Sequence, residues 1–159
     1  MNHRSLSEDI REGLIRQLVY FDENRFNLLD QLTFSTPSEK KEIRLLLEHY
    51  VKRIESIVAG SEEDLRQSRV LIGSKVLLRF EDGSDRECYT IVLPEDTDPD
   101  DNRISCLSPL GRALLLAARS DRVAVRTPQG DYEVTVLDNE YVFMNRMATE
   151  RRQAAPLAD

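Results

Sequence analysis

The hydrophobic pattern changes its period near residue 70, and this change is what most constrains the fold. In the first part of the chain, apolar side chains recur every three or four residues, at Ile10, Leu14, Leu18, Phe21, Leu28 and Leu32 and then at Ile43, Leu47, Tyr50, Ile54 and Ile57. This spacing predicts two amphipathic helices packed along one apolar seam, with Arg25 as a charge within the seam. From Ser74 onward the period falls to two, which is typical of strands. The sequence therefore predicts an α+β chain, with helices first and strands afterwards.

Signals for helix ends divide the first part into two helices and a short loop. Thr36, Pro37 and Glu39 fit an N-cap, a first-turn proline and the closing residue of a capping box. Gly60 can end the second helix. Helices of about 25 and 22 residues would form an antiparallel coiled-coil hairpin roughly 35 Å long. We therefore assign residues 1–60 to a helical hairpin and 61–69 to a linker.

The second part of the sequence predicts a small antiparallel sheet with one helix. Strands are predicted at 75–81 and 86–93 around an Asp82-Gly83 turn, at 104–107, and at 122–127 and 132–137 around a second turn. Between them, Ser108 is placed to be the N-cap of a helix and Pro109 to be its first residue. We assign residues 70–144 to this β-domain and 145–159 to a polar tail.

Composition excludes several classes of protein. With 22 basic and 29 acidic side chains the net charge is −7, which makes the chain a poor candidate for gripping nucleic-acid phosphates over a broad face. No apolar run approaches the ~20 residues of a membrane span, and the N-terminus lacks the apolar segment of a secretory signal. Cys88 and Cys106 are too few for a disulfide framework and indicate reduced thiols. We expect a cytoplasmic protein without membrane contact.

Metal and cofactor motifs are not found in the sequence. The stretch from Asp96 begins like a calcium-binding loop, but its sixth position is Asp101 instead of glycine and its twelfth is Leu107 instead of glutamate. The two cysteines and two histidines lack zinc-ligand spacing, and no glycine-rich phosphate loop is present. We therefore expect no metal, no cofactor and no enzymatic activity of the chain's own.

One stretch in the second part carries a more specific signal than composition or periodicity alone. It reads Ile-Ser-Cys-Leu-Ser-Pro-Leu-Gly-Arg-Ala-Leu-Leu from Ile104 to Leu115, and it is flanked by 71–76 and 89–92 before it and by 121–125 and 131–134 after it. Together these segments resemble the C-terminal domain of the GreA/GreB family of bacterial transcription factors. The resemblance implies an FKBP-like β-domain that docks on the beta-prime subunit of RNA polymerase, at the rim of the secondary channel. A coiled coil would then point into that channel, so that nucleic acid is met only indirectly.

The resemblance also implies a contact site. In the family, the Ser-Pro loop before the helix makes the main contact with the polymerase, and this contact carries over to Ser108 and Pro109, with Leu110 beside them. The position before the serine is polar or acidic in the family's cleavage factors, whereas this chain has Leu107.

The turn of the hairpin bears on whether the chain resembles the family's cleavage factors or a relative without the cleavage acids. Cleavage factors that resemble GreA carry an Asp and a Glu at the tip, where they hold a second Mg²⁺ at the polymerase active site. Here Asp30 and Glu39 stand nine residues apart on either side of the turn, and Glu39 also fits the capping box. The stretch 21–29 looks instead like the opening of Rnk, a regulator of nucleoside diphosphate kinase that shares the polymerase-binding domain but lacks the cleavage acids.

These features leave one leading interpretation and three alternatives. The leading one is a bacterial elongation regulator that binds RNA polymerase and acts without transcript cleavage. The alternatives are a cleavage factor that uses Asp30 and Glu39 to help hold Mg²⁺, a Rnk-like regulator, and a module that binds a helix of some other protein.

Overall fold

The computed structural model describes residues 6–30, 32, 35–60, 69–81 and 86–142. The chain divides into two compact units, residues 1–67 and 68–159, which we call the helical unit and the sheet unit. No helix among the described residues is long and apolar enough to cross a membrane.

The helical unit contains α1 (Leu6–Asp30) and α2 (Pro37–Ala59). The predicted capping box at the start of α2 is confirmed: Glu39 N donates to Thr36 Oγ1 at 3.1 Å, and Thr36 N donates to Glu39 Oε1 at 2.9 Å. The helices run antiparallel, because Arg11 near the start of α1 donates to the carbonyl oxygen of Gly60 just after α2, at 3.4 Å.

The seam between the helices follows the predicted spacing. All five seam residues of α2 are buried, and so are three from α1, namely Leu14, Phe21 and Leu28. The buried set also includes Gln17, which the apolar pattern did not predict. The Tyr50 hydroxyl donates to Gln17 Oε1 at 2.7 Å, and the Phe21 and Tyr50 rings meet edge-on with centroids 6.1 Å apart. A polar pair therefore lies inside an otherwise apolar seam.

The sheet unit contains five strands and one short helix. The elements are β1 (Ser74–Phe80), β2 (Arg86–Val92), β3 (Arg103–Ser105), α3 (Pro109–Leu114), β4 (Arg122–Thr127) and β5 (Gly130–Tyr141), with strand order β3-β2-β1-β5-β4. The predicted α+β class and the order of helices and strands are confirmed. The predicted Asp82-Gly83 turn, most of the linker and the tail lie outside the described residues.

One pairing differs from the predicted antiparallel sheet. The strand β3 pairs parallel with β2, so the sheet is mixed. The chain returns between them through two 3₁₀ turns at Pro94–Asp96 and Pro99–Asp101, because a parallel pair needs a crossover and cannot be joined by a tight hairpin turn. As a result β3 ends at Ser105, and Leu107, which was predicted within this strand, lies in the turn that follows.

The two faces of the sheet differ in character. The core face carries the buried side chains of β1, β2, β4 and β5, namely Val76, Leu78, Ile91, Val125, Val134 and Val136, and α3 adds the buried Leu114 to this core. The opposite face, which we call the outer face, alternates with it and carries exposed charged residues such as Lys75 and Arg79. The fold thus places the turn before α3 and the outer face of the sheet as two separate surfaces.

Candidate functional site

The turn that joins β3 to α3 is fixed by hydrogen bonds to one residue, Ser105. Its carbonyl oxygen accepts from Ser108 N at 3.0 Å and from the Ser108 hydroxyl at 2.7 Å. Its side-chain hydroxyl oxygen accepts from Leu107 N at 2.9 Å. Just after β3, Cys106 N donates to Val92 O at 2.8 Å and keeps the turn attached to β2. These hydrogen bonds hold the turn in one conformation.

Ser108, which donates to Ser105 O in this turn, is also the N-cap of α3. The Ser108 hydroxyl oxygen accepts from Gly111 N at 3.1 Å, and Pro109 occupies the first turn, as the sequence predicted. Arg112 then folds back, and its guanidinium donates to Leu107 O at 2.8 Å. The sequence did not predict a role for Arg112, because this contact depends on the shape of the turn and has no local sequence signal.

Gly111 is required by the close approach of α3 to β3. A Cβ atom at this position would lie 2.1 Å from Ser105 O and 3.0 Å from the Ser108 hydroxyl oxygen. Real Cβ contacts of this kind essentially never fall below 3.0 Å, and here the nearest atom belongs to the backbone. The Ser-Pro-x-Gly stretch is thus explained locally by a cap, a first-turn proline and a position without room for a side chain.

The far end of α3 is attached to the segment that leads into β1. Leu116 N donates to Val70 O at 2.7 Å, and Val70 N donates to Ala117 O at 2.8 Å. Leu116 has a φ of 69°, a conformation that costs energy for a residue with a Cβ atom. Both ends of α3 are therefore held by the sheet unit, which fixes the direction in which the preceding turn faces.

The structure brings the three predicted contact residues together at the start of α3. Ser108, Pro109 and Leu110 are consecutive and half-buried, so each exposes part of its surface. Leu107 is only 6% exposed and belongs to the core, which explains an apolar side chain where a polar one was the family pattern. The surface formed by residues 108–110, which we call the Ser-Pro surface, is therefore small, partly apolar and rigidly supported.

The hairpin turn carries the two other predicted residues. Asp30 is the last residue of α1 and is exposed, and Glu39 lies in the first turn of α2 with one carboxylate oxygen accepting from Thr36 N. Among the described residues, no group of three or more His, Cys, Asp or Glu side chains is placed to hold a metal ion. In the structure, Glu39 therefore acts as the capping-box residue of α2.

The cysteines differ in accessibility. Cys106 is fully buried, and burial raises the pKa of its thiol to about 12, so that it stays protonated and unreactive at neutral pH. Cys88 on β2 is half-buried. Neither thiol is paired in a disulfide.

Comparison with known proteins finds similarity to transcription elongation factors. A family model described as "Transcription elongation factor, GreA/GreB, C-term" matches residues 65–141. Over 103 residues the chain is 34% identical to transcription elongation factor GreA of Chloroflexus aurantiacus, a match that covers 62% of this chain and 66% of that protein. Over 104 residues it is 35% identical to transcription elongation factor GreB of Neisseria meningitidis serogroup B, covering 64% and 63%. The chain thus spans just under two thirds of the length of these relatives.

A solved structure has a similar fold. The prokaryotic transcription elongation factor GreA/GreB from Nitrosomonas europaea aligns with a TM-score of 0.54 and 22% identity, over 80% of this chain and 93% of that one. At this identity the likeness concerns the fold alone, and it agrees with the order of helices and strands described above.

Proposed function

Because the chain belongs to the GreA/GreB family of transcription elongation factors, we propose that it regulates transcription by binding bacterial RNA polymerase through its Ser-Pro surface. The observation that carries this proposal is the match over residues 65–141, which contains every described element of the sheet unit. The rigid turn between β3 and α3 supports it further. A small, partly apolar patch that is already fixed loses little conformational freedom when it binds a protein.

The length of the helical unit supports a second part of the proposal, which concerns the secondary channel of the polymerase. We propose that the hairpin enters the secondary channel while the sheet unit sits on the beta-prime subunit at its rim. Helices of 25 and 23 residues correspond to a rod of about 35 Å at 1.5 Å per residue. The chain would act in the cytoplasm as a regulator and not as an enzyme in itself.

Occupancy of the channel, without transcript cleavage, is the mode of action that we propose. The support is the engagement of Glu39 in the capping box, which uses a carboxylate that Mg²⁺ would need. The acidic stretch Asp22-Glu23 lies within α1, well before Asp30 ends the helix. It is therefore remote from the hairpin turn, a placement that suits a Rnk-like regulator without cleavage acids.

Transcript cleavage is the alternative mode, and one observation favours it. Asp30 and Glu39 are both exposed, and the two ends of the helices bring them to the same end of the hairpin. If the pair holds Mg²⁺, the chain will stimulate cleavage in backtracked polymerase complexes, and an Asp30→Asn, Glu39→Gln variant will lose this activity while still binding. Absence of cleavage from complexes that contain the bound wild-type chain would support occupancy.

The binding proposal is tested by titrating core RNA polymerase with the labelled chain and displacing it with GreA. A Pro109→Ala, Leu110→Glu variant should bind at least about tenfold more weakly, because it removes apolar surface and adds a charge to the proposed contact. Ser108 is left in place, because its hydroxyl holds both Ser105 and Gly111 and its loss would disturb the turn itself.

The matched control is Pro128→Ala with Gln129→Glu, in the exposed turn between β4 and β5. It also removes a proline and adds a carboxylate to the sheet unit, but it leaves the Ser-Pro surface unchanged. It should bind like the wild-type chain. Equal losses in the two variants, or wild-type binding that GreA does not displace, would contradict the proposed site.

A further inference from the structure

The outer face of the sheet carries a row of arginines that the strand register creates. Arg79 of β1 stands directly opposite Arg86 of β2. On the other side, Arg79 stands opposite Thr135 of β5, and Thr135 stands opposite Arg122 of β4. Residues directly opposite one another in antiparallel strands project from the same face with Cβ atoms about 5 Å apart. Four neighbouring strands therefore place three guanidinium groups and one hydroxyl in a line.

Only one of the three arginines is compensated within the described residues. Arg122 lies 3.0 Å from Glu133 Oε1 and 3.5 Å from Glu81 Oε1. Arg79 and Arg86 are exposed, and neither has an ion-pair or hydrogen-bond partner for its side chain within the described parts of the chain. Like charges directly opposite each other destabilise a sheet. The pair therefore costs stability in the free chain, and an anion bound between the two groups would remove that cost.

Two other positive charges of the sheet unit have a carboxylate beside them. Lys75 stands opposite Glu140, and Arg119 forms an ion pair with Asp138 at 2.6 Å. Among the described residues, Arg79 and Arg86 therefore form a directly opposed pair of arginines with no carboxylate partner for either side chain. A nucleic acid would bring further phosphates against Glu81, Glu133 and the other carboxylates nearby, whereas a single carboxylate would meet only the two arginines.

We propose that Arg79 and Arg86 bind a single carboxylate side chain of a protein partner. Guanidinium groups suit this role, because their planar donors pair with a carboxylate through two parallel hydrogen bonds. Both residues lie on β1 and β2, away from the turn before α3, so the contact is separate from the Ser-Pro surface. The inference stands on the register and charges of the sheet and does not depend on which partner the Ser-Pro surface binds.

The test is an NMR titration of the ¹⁵N-labelled full chain, at low ionic strength, with a capped alanine-rich peptide that carries a single Glu residue. Shifts should centre on residues 77–81 and 86–88. An Arg79→Gln, Arg86→Gln variant should bind about fivefold more weakly, in keeping with the modest strength of exposed ion pairs. The charge-matched control, Arg119→Gln with Arg126→Gln, also removes two exposed arginines from the sheet unit and should bind within about twofold of the wild-type chain.

Three outcomes would overturn the proposal. The first is a wild-type chain that does not bind the peptide. The second is an equal loss in the control, which would show that net charge alone matters. The third is tighter binding of a single-stranded oligothymidylate through the same two arginines, which would assign the site to nucleic acid.

Discussion

The helical unit and the sheet unit each begin a helix with a hydroxyl cap and a proline, but the two caps perform different tasks. In the helical unit, Thr36 and Glu39 satisfy each other at the exposed start of a helix of 23 residues. In the sheet unit, the Ser108 hydroxyl accepts from Gly111 N and also donates to Ser105 O, at the start of a helix of six residues. The first cap is local, whereas the second ties a helix to a strand.

The difference follows from helix length. A helix of six residues is too short to be stable through its own hydrogen bonds, because nucleation costs more than so few bonds return. The Ser-Pro surface therefore depends on the surrounding sheet for its shape. The hairpin is stabilised instead by a long seam of buried side chains from α1 and α2, so the loss of one contact is a small fraction of the whole. Substitutions in the two units should accordingly differ in size and in how far their effects spread.

The largest effect is expected for Gly111→Ala. The new Cβ would meet Ser105 O at 2.1 Å, and neither backbone can move without breaking the turn, so the sheet unit should lose about 3 kcal/mol of unfolding free energy. Cys106 reports the loss, because its buried thiol, with a pKa raised to about 12, reacts with an alkylating reagent only when the unit opens. Its modification rate, followed by mass spectrometry, should rise strongly.

Gly130→Ala is the control for this substitution. Gly130 has a φ of 131°, but no atom lies within 4 Å of the place that an added Cβ would occupy, so the change introduces backbone strain without a clash. We expect a loss on the order of 1–2 kcal/mol. If Gly111→Ala were no worse than Gly130→Ala, the close contact of α3 with β3 would not be what holds the turn.

An intermediate effect is expected for Tyr50→Phe in the helical unit. The substitution removes the donor to Gln17 Oε1 inside a buried seam, at a cost of about 1–2 kcal/mol. Adding Gln17→Leu should restore stability to about the wild-type level, because both polar groups are then gone. Thermal unfolding of the two variants, followed by helical circular dichroism, measures this recovery.

The double variant also separates stability from specificity. A buried polar pair can fix the register of two packed helices even where it adds little stability. The double variant should therefore keep its helix content, while the NMR resonances of its α1 and α2 amides broaden or double because the two helices sample more than one register. A double variant that was less stable than Tyr50→Phe would contradict the account of the pair as a replaceable polar contact.

The features that could be predicted from the sequence are those with local causes. The start of α2 follows from Thr36, Pro37 and Glu39, and the start of α3 follows from Ser108 and Pro109, because each cap lies within four residues of the groups that it satisfies. The strand 122–127 was predicted with its observed bounds for the same reason, since alternation within one strand is enough to define it.

The features that could not be predicted depend on pairing between distant segments. The parallel contact of β3 with β2 requires the crossover at 94–101, which local patterns do not reveal. The opposition of Arg79 and Arg86 is a matter of register, and Gln17 was not predicted to be buried because its partner lies 33 residues away. The residues of the Ser-Pro surface were predicted as contact residues from family resemblance alone, and the structure accounts for their positions through the cap and the close approach of α3 to β3.

The smallest effect is expected at the exposed ion pair of the sheet unit. Arg119 Nη2 lies 2.6 Å from Asp138 Oδ1, and this hydrogen bond, with that from Asn139 N and the nearby positive charge, lowers the pKa of Asp138 below its ordinary value of 3.8. Arg119→Gln should lower the melting temperature of the sheet unit at pH 7 by about 1–3 °C, because exposed pairs contribute little. The helical unit should be unaffected.

The pH dependence of this effect has a definite sign. A carboxylate whose pKa is lower in the folded chain contributes stability above its unfolded value of 3.8 and loses it as the pH falls through the folded value. The difference between Arg119→Gln and the wild-type chain should therefore be present at pH 7 and should disappear as the pH falls below 3.8 and through the lowered pKa of Asp138 in the folded chain. Added salt should also reduce it at pH 7, because both side chains are more than half exposed. A difference that persisted in acid would mean that Arg119 stabilises the sheet through packing and not through Asp138.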